Sequence, residues 1–236
     1  MRRAVAFLTP LPVGHAEPNA STFDWFPAVG ALIGISVGGA WWLADRAFTP
    51  AVAAALVIVV DLALTGMLHV DGLADSADGL LPPLPTRERR LEVMAAPDVG
   101  AFGVAVVAGV LLLRFAALGS QPVSVLLIAG LWCGSRTVMA VGARIGPYAR
   151  GEGGLASSFA GGDWRPVGLY GLIAAVSLGA FADGRRTEVA VAAGMTAGAL
   201  VIVFARRRIG GFTGDVLGAA GVITETVGLV VAAAKW

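Results

Sequence analysis

Charged side chains are scarce in this chain. Only 14% of its 236 residues are charged, whereas 57% are hydrophobic and the mean hydropathy is +0.80. Soluble domains carry about 25% charged residues, so this composition excludes a large water-exposed surface and predicts a polytopic membrane protein. The net charge of +1 also excludes a nucleic-acid partner, because a phosphate-binding surface needs clustered excess base.

The sequence has a single cysteine, and its first residues do not match a complete signal peptide. The single cysteine, Cys133, lies within an apolar run. It excludes a disulfide framework and a zinc cluster and is typical of a small buried hydrophobic residue. Pro10 and Pro12 cut the first apolar run too short for a signal peptide. We therefore expect residues 1–26 to form an interfacial N-terminal segment.

Long apolar runs, by contrast, are abundant. A helix needs roughly 20 apolar residues to cross about 30 Å of hydrocarbon. No internal repeat or second domain is apparent, so the sequence predicts one integral membrane domain over residues 1–236. This all-α domain should have about seven transmembrane helices, near 27–44, 50–69, 101–119, 122–141, 166–183, 187–205 and 216–234.

Lysine and arginine are distributed unevenly between the predicted loops. With a cytoplasmic N-terminus, eleven of the 17 lysines and arginines lie on the cytoplasmic side and four on the other side, which is the positive-inside pattern. This topology brings the polar stretches 69–79, 142–165 and 213–215 to the cytoplasmic face, where we predict the active site. A transporter would more naturally place polar residues near the midplane of the membrane.

The stretch His69–Gly79 follows one of the most apolar runs. Asp71, Asp75 and Asp78 are spaced i, i+4 and i+7. If the helix of the second span continues past the membrane surface, they fall within an arc of about 60°. Like charges on one face repel one another, and a hard divalent cation such as Mg²⁺ would compensate them. A solvated helix end is the alternative interpretation.

His69 is a less certain partner of these aspartates. On an unbroken helix it points about 160° away from Asp71. It joins the acidic cluster as a catalytic group only if the chain bends near Gly72. Otherwise it is a hydrogen-bonding histidine at the membrane surface.

Two further polar stretches offer ligands for phosphate and metal. Segment 145–158 combines Arg150 with glycines that include Gly153 and Gly154, and backbone N–H groups with a guanidinium suit phosphate oxygens. The turn Thr213-Gly214-Asp215 adds a fourth carboxylate on the same predicted face. A flexible loop and a simple helix cap are the respective alternatives.

Charges within the predicted spans are costly and are functional candidates. Arg136 lies near the inner end of the fourth span and could extend toward bound phosphates. Arg114 and Asp61 lie deeper and could neutralise each other between the second and third spans. We interpret that pair as structural.

These motifs together resemble the cobalamin synthase family, the adenosylcobinamide-GDP ribazoletransferases of bacterial inner membranes. The acidic stretch and the Thr-Gly-Asp turn are specific in combination. The matching blocks cover the chain from end to end: Phe7-Leu8-Thr9 with Leu11-Pro12, His69 to Gly79, Arg90-Leu91-Glu92-Val93-Met94, Gly100-Ala101-Phe102-Gly103, Ser135-Arg136, Ala149-Arg150 with Gly154-Leu155, and Gly211 to Ala220.

The resemblance implies a Mg²⁺-dependent transfer late in cobalamin biosynthesis. A hydroxyl of α-ribazole, or of its 5′-phosphate, attacks the cobinamide-side phosphorus of adenosylcobinamide-GDP, and GMP leaves. One carboxylate, or His69, accepts the hydroxyl proton. The resemblance also implies a bilayer as partner and leaves a homo-oligomer open. The implied metal ligands are Asp71, Asp75, Asp78 and Asp215, and the implied substrate-binding residues are Arg136, Arg150, Gly153, Gly154, Thr213 and Gly214.

The sequence departs from the family pattern at three places. Ala96 stands where an aspartate is usual, with Asp98 nearby as a replacement. Val222 stands where the family often has the first of two glutamates, and Glu225 occupies the second position. Pro10 stands where arginine is common.

Two other functions remain as alternatives. A CDP-alcohol phosphotransferase of phospholipid synthesis also uses clustered aspartates at a membrane face, but this chain departs from its motif after Asp71-Gly72-Leu73-Ala74-Asp75. A membrane transporter is the other alternative, and the dense acidic and Gly-Arg stretches on one face argue against it.

Overall fold

The computed structural model describes residues 1–14, 19–150 and 162–235, and this part of the chain is helical. An isolated bridge between Tyr148 and Phe212 is the only β-type pairing in it. The all-α prediction is confirmed. A short 3-10 helix, Ala20–Trp25, precedes α2. The described residues form ten α-helices, which are α1 (Arg2–Leu8), α2 (Phe26–Ala47), α3 (Pro50–Leu64), α4 (Leu68–Leu80), α5 (Arg87–Val93), α6 (Ala101–Gly119), α7 (Val125–Ile145), α8 (Trp164–Asp183), α9 (Arg185–Ile209) and α10 (Gly214–Ala232).

The apolar helices confirm a polytopic membrane protein. Among the described residues, α2 and α6 to α10 are each long and apolar enough to cross a membrane. The helices α3 and α4 pass the same test only as a bent pair, which gives six or seven spans. Taken separately, neither α3 nor α4 passes this test, and α4 carries the acidic stretch.

The predicted continuous span 50–69 is wrong, because α3 ends at Leu64 and α4 leaves it at 90°. Gly66 and Met67 both have φ of 59°. The Met67 N–H donates to the Leu62 carbonyl at 2.9 Å and the Gly66 N–H to the Ala63 carbonyl at 3.3 Å. This pair of bonds is a Schellman motif, which ends a helix with a left-handed residue. The acidic helix is therefore a separate element rather than an extension of the second span.

The helices α7 and α10 form the centre of the bundle, and both are largely buried. A stripe of glycines on α2 lies directly on the backbone of α7. An added Cβ would stand 2.5 Å from the Trp132 carbonyl oxygen at Gly30 and 2.7 Å from Ala129 Cα at Gly34. Small residues that permit such close helix contact are typical of membrane bundles.

The acidic helix α4 packs against the first turns of α10 through a similar contact. An added Cβ at Gly72 would stand 2.8 Å from both Cα and the carbonyl oxygen of Asp215, and one at Gly218 would stand 3.2 Å from His69 Cα. Backbone atoms cannot move aside as flexible side chains can. The close approach of α4 to α10 therefore requires glycine at positions 72 and 218.

We expect Gly72→Ala to destabilise the protein by about 1–3 kcal/mol, because the extra methyl group forces α4 away from α10. Thermal unfolding in detergent measures the effect. Gly39→Ala is the matched control, since Gly39 lies within α2 and a Cβ there meets nothing within 4 Å. If the two variants unfold at the same temperature, the close contact does not contribute to stability.

Candidate active site

The three polar stretches converge at one end of the helix bundle. The loop after α7 is joined to the turn before α10, because the Ala149 N–H donates to the Phe212 carbonyl at 2.8 Å and the Phe212 N–H to the Pro147 carbonyl at 3.1 Å. From α5, Arg87 donates to the Ala149 carbonyl at 2.8 Å. We call this end of the bundle the polar end. That the polar end faces the cytoplasm stays a prediction from the distribution of lysine and arginine.

Asp71, Asp75 and Asp215 form an acidic cluster at the polar end. Asp71 is exposed, and the other two are partly buried between α4 and α10. Burial, followed by the negative charges of Asp215 and Asp71, raises the pKa of Asp75 to about 6. A carboxyl whose pKa rises in this way favours either a proton or a cation.

Arg150 is brought to this cluster as a positively charged partner. Its guanidinium donates to Asp215 Oδ2 at 2.9 Å and to the Met94 carbonyl at 3.2 Å. Thr213 donates to the same carboxylate oxygen at 3.2 Å and caps α10 by accepting from the Val216 N–H at 3.2 Å. Gly214 is exposed at the start of α10. Gly153 and Gly154 lie outside the described residues.

Asp78 is not part of the acidic cluster, although its spacing predicted a common face. Its buried carboxylate accepts from the Gly100 N–H at 2.7 Å and the Gly103 N–H at 2.9 Å. These are free donors at the start of α6, where a negative charge is also favoured by the helix dipole. A Cβ at either glycine would stand 2.5 Å from an Asp78 oxygen. Asp78 therefore joins α4 to α6.

We expect Asp78→Asn to destabilise the protein by about 1–3 kcal/mol, because the amide NH₂ would face a buried N–H donor. The transfer activity of the folded fraction should change little. Thermal unfolding and the activity per folded molecule measure the two effects, with Asp45→Asn, at an exposed acid near the end of α2, as control. A variant with wild-type stability and no activity would instead support the predicted metal role of Asp78.

Arg136 does not reach the acidic cluster. Its guanidinium is buried and forms an ion pair with Glu225 of α10 and a 2.5 Å hydrogen bond to Ser135. The Glu225 carboxylate also accepts from Ser135 at 2.8 Å and from Arg114 at 2.6 Å. Arg136 therefore does not extend toward bound phosphates as predicted, because Glu225 holds its side chain inside the bundle.

The predicted pair of Arg114 and Asp61 is confirmed at 2.9 Å and belongs to the same network. Trp132 donates to the second Asp61 oxygen at 2.9 Å. Two arginines thus face two carboxylates at the junction of α3, α6, α7 and α10. A buried charge in a bilayer is costly unless it is paired, and here the four charges of this network sum to zero.

His69 is buried between α4 and α10 and is 5% exposed. Burial, followed by the charge of Arg136, lowers its pKa to about 3, so the imidazole is neutral at pH 7. Within the described part of the chain, neither ring nitrogen has a hydrogen-bond partner. The bend before α4 places His69 on the wall of a small cavity that Asp71 and Asp215 also line.

Sequence reasoning missed the contribution of Arg90 and underrated Glu225. Arg90 is buried and donates to the carbonyls of Gly79 at 2.9 Å and Leu84 at 2.8 Å, so it caps the end of α4. A buried arginine in a short charged helix gives no signal of its own in a single sequence. Glu225 was detectable, because it is an acid within an apolar run that could neutralise one of two arginines.

Comparison with known proteins identifies the family of the chain. Residues 1–233 match the family model of cobalamin-5-phosphate synthase. The chain belongs to this family. Members of the cobalamin-5-phosphate synthase family are transferases of cobalamin synthesis, which confirms the predicted resemblance and the enzyme class. No solved structure matches the chain.

Three curated relatives of this cobalamin-5-phosphate synthase family member are each named adenosylcobinamide-GDP ribazoletransferase. The relative from Chlorobium phaeovibrioides is 34% identical over 221 residues, which cover 91% of this chain and 88% of the relative. The relative from Bradyrhizobium diazoefficiens is 34% identical over 243 residues, covering 99% and 93%. The relative from Desulfitobacterium hafniense is 39% identical over 160 residues, covering 64% and 63%.

The structure places two of the three positions at which this chain departs from the cobalamin-5-phosphate synthase pattern. Ala96 and Asp98 line the same cavity of about 320 Å³ next to α5. Replacement of an aspartate at position 96 by Asp98 stays a prediction. Val222 is buried, and its carbonyl accepts from Arg114 at 3.1 Å. The backbone at position 222 therefore contributes to the ion network.

The acidic cluster has the chemistry of a Mg²⁺ site without being a closed cage. In residues 1–14, 19–150 and 162–235, no three acidic, histidine or cysteine side chains converge on one ion position. Mg²⁺ commonly takes only one or two protein carboxylates and completes its shell with waters and substrate phosphates. The partly buried Asp75 beside Asp71 and Asp215 fits that requirement.

Proposed function

We propose that this protein is a Mg²⁺-dependent transferase that joins adenosylcobinamide-GDP to α-ribazole, or to its 5′-phosphate, and releases GMP. The observation that carries the proposal is the acidic cluster with Arg150 at the polar end of a chain of this family. Because these groups lie at the polar end of the bundle, phosphorylated substrates can reach them from the aqueous phase. We also propose that this end faces the cytoplasm of a bacterial inner membrane.

Each residue of the cluster has a separate role in the transfer. A hydroxyl oxygen of α-ribazole forms a bond to the cobinamide-side phosphorus, the bond from that phosphorus to the bridging oxygen breaks, and GMP leaves with the electron pair. Arg150 lies beside Asp215 and can donate to diphosphate oxygens. Asp71, exposed at the rim of the small cavity, accepts the hydroxyl proton.

Asp75 and Asp215 are the residues that would hold Mg²⁺. A bound cation would neutralise charge on the diphosphate oxygens. Burial, followed by the negative charges of Asp215 and Asp71, raises the pKa of Asp75, and a cation would relieve the repulsion between these carboxylates. The buried, neutral His69 is assigned no proton transfer.

The experiment that tests the function is an assay of the purified protein with adenosylcobinamide-GDP, α-ribazole and Mg²⁺. We expect GMP and the cobalamin product in equal amounts, loss of both with EDTA, and recovery with added Mg²⁺. Absence of both products under all conditions would overturn the proposal. Equal activity with and without EDTA would overturn the Mg²⁺ requirement alone.

A further inference from the structure

A groove of about 660 Å³ lies between α7, α8 and α9, away from the acidic cluster. We call it the α8 groove. It extends along α7 from Thr137 to Ile145, and Leu169, Leu172 and Val203 are exposed along its walls. Ligand sites commonly have volumes of roughly 300–1,000 Å³. The α8 groove therefore has both the room and the accessible apolar surface for an occupant.

The inner part of the α8 groove is suited to hydrocarbon. Its two threonine hydroxyls are used within their own helices, because Thr137 donates to the Cys133 carbonyl at 2.8 Å and Thr196 donates to the Ala192 carbonyl at 2.8 Å. A polar molecule placed there would lose its hydrogen bonds to water without replacement. Since α7, α8 and α9 are long and apolar enough to cross a membrane, an acyl chain is the better match.

The mouth of the α8 groove is positively charged. Arg165 from the first turn of α8 and Arg206 from the last turn of α9 both line it and are exposed. Asp163 lies 3.8 Å from Arg165, but the side chains are 54% and 77% exposed, and such a pair contributes little. Within the described ranges, Arg206 has no acidic partner. Trp164 lines the same mouth, and tryptophan is typical of the membrane surface.

The helix α8 also needs an occupant beside it. It is the least buried of the six described helices that are long and apolar enough to span a membrane. A molecule lying in the α8 groove would contact α7, α8 and α9 at once. It would thereby attach α8 to the rest of the bundle.

We propose that the α8 groove binds an anionic phospholipid of the surrounding membrane. One acyl chain lies along Leu169, Leu172 and Val203, and the headgroup phosphate lies between Arg165 and Arg206. Basic pockets between transmembrane helices bind anionic headgroups, and a guanidinium suits phosphate oxygens. A second copy of the chain is a poorer occupant, because a two-fold contact through this face would bring two positively charged mouths together.

The headgroup is tested by titrating the purified full-length protein in detergent with dioleoyl phosphatidylglycerol or dioleoyl phosphatidylcholine and counting bound lipid by native mass spectrometry. The two lipids share their acyl chains and differ in net charge. We expect phosphatidylglycerol to bind at least about tenfold more tightly. Arg206→Gln should weaken its binding about fivefold, whereas Arg207→Gln, at an exposed arginine of the same turn that does not line the groove, should not.

The acyl chain is tested by filling the groove. Ala199 is exposed and lines the groove, so Ala199→Phe should weaken phosphatidylglycerol binding about tenfold or more. Ala192→Phe is the matched control, because Ala192 is an exposed alanine of α9 outside the groove. Inorganic phosphate should not displace phosphatidylglycerol, since it has no chain to bury.

These outcomes do not depend on the transfer reaction. Equal affinity of the wild-type protein for the two lipids would overturn the inference, as would unchanged phosphatidylglycerol binding in Ala199→Phe. Full displacement by inorganic phosphate would identify a phosphate site instead, and a two-copy complex without bound lipid would identify a second copy as the occupant. If Arg206→Gln does not fold, the two lipids on the wild-type protein and the pair of alanine variants decide the inference.

Discussion

Asp75→Asn is expected to abolish transfer in a protein that still folds and inserts. The substitution removes a carboxylate ligand from the acidic cluster, and neutralisation of a diphosphate by a cation contributes several kcal/mol to such reactions. Because each 1.36 kcal/mol is a factor of ten in rate, we expect a loss of about 10³-fold or more. Folding should be unaffected or slightly favoured, since one negative charge beside Asp71 and Asp215 disappears.

Turnover of purified protein at saturating substrate and Mg²⁺ measures this effect, together with thermal unfolding. Asp45→Asn is the matched control, because Asp45 is an exposed acid near the end of α2 that lies away from the polar end. A turnover of Asp75→Asn within tenfold of the wild type would contradict the assignment of Asp75 as a metal ligand. Partial recovery at high Mg²⁺ would support it.

Glu225→Gln should destabilise the folded protein by about 3–5 kcal/mol, the cost of breaking a buried ion pair from one side. The change leaves Arg114 and Arg136 buried with only Asp61 to neutralise them. Unfolding in detergent and the amount of protein accumulated in membranes measure the loss. The exposed Glu92→Gln, whose pair with Arg89 lies at the surface, should change stability by less than about 1 kcal/mol.

A second substitution tests whether charge is the cause. Arg136→Met in the Glu225→Gln background removes the extra positive charge and leaves the neutral pair of Arg114 and Asp61. Replacing both members of a buried pair with apolar or neutral groups is often close to neutral, so much of the stability should return. A double variant no more stable than Glu225→Gln would show that shape, rather than charge, controls this region.

The sequence predicted the membrane class and most helices because apolar runs are local features. It did not predict the end of α3 at Leu64, although Thr65-Gly66 is a helix-ending signal that the surrounding apolar residues obscured. Topology predicted only that Arg150 and Asp215 lie on the same face of the membrane. Their contact at 2.9 Å depends on the packing of the bundle and could not be predicted from the sequence.

Helix spacing could not predict which partner each aspartate meets. Asp75 and Asp78 share a face of α4, yet Asp78 is held by the start of α6, 22 residues later in the chain. The sequence predicted that Arg136 reaches the polar end, because its position near the inner end of a span could be read from the sequence. Its ion-pair partner could not be read in the same way. That partner, Glu225, is 89 residues away in sequence, and no local pattern reports such a contact.

The position of Glu225 in α10, which follows α6 and α7 in the chain, also has a consequence for synthesis and membrane insertion. When α6 and α7 enter the bilayer, Asp61 is the one acidic residue of the described ion network that is already present to pair with Arg114 and Arg136. The ion network becomes neutral, and Asp215 reaches α4, only when α10 has emerged from the ribosome and docked. Docking of α10 therefore completes the ion network and the acidic cluster together. A nascent chain that is held in the membrane before α10 docks has no assembled acidic cluster.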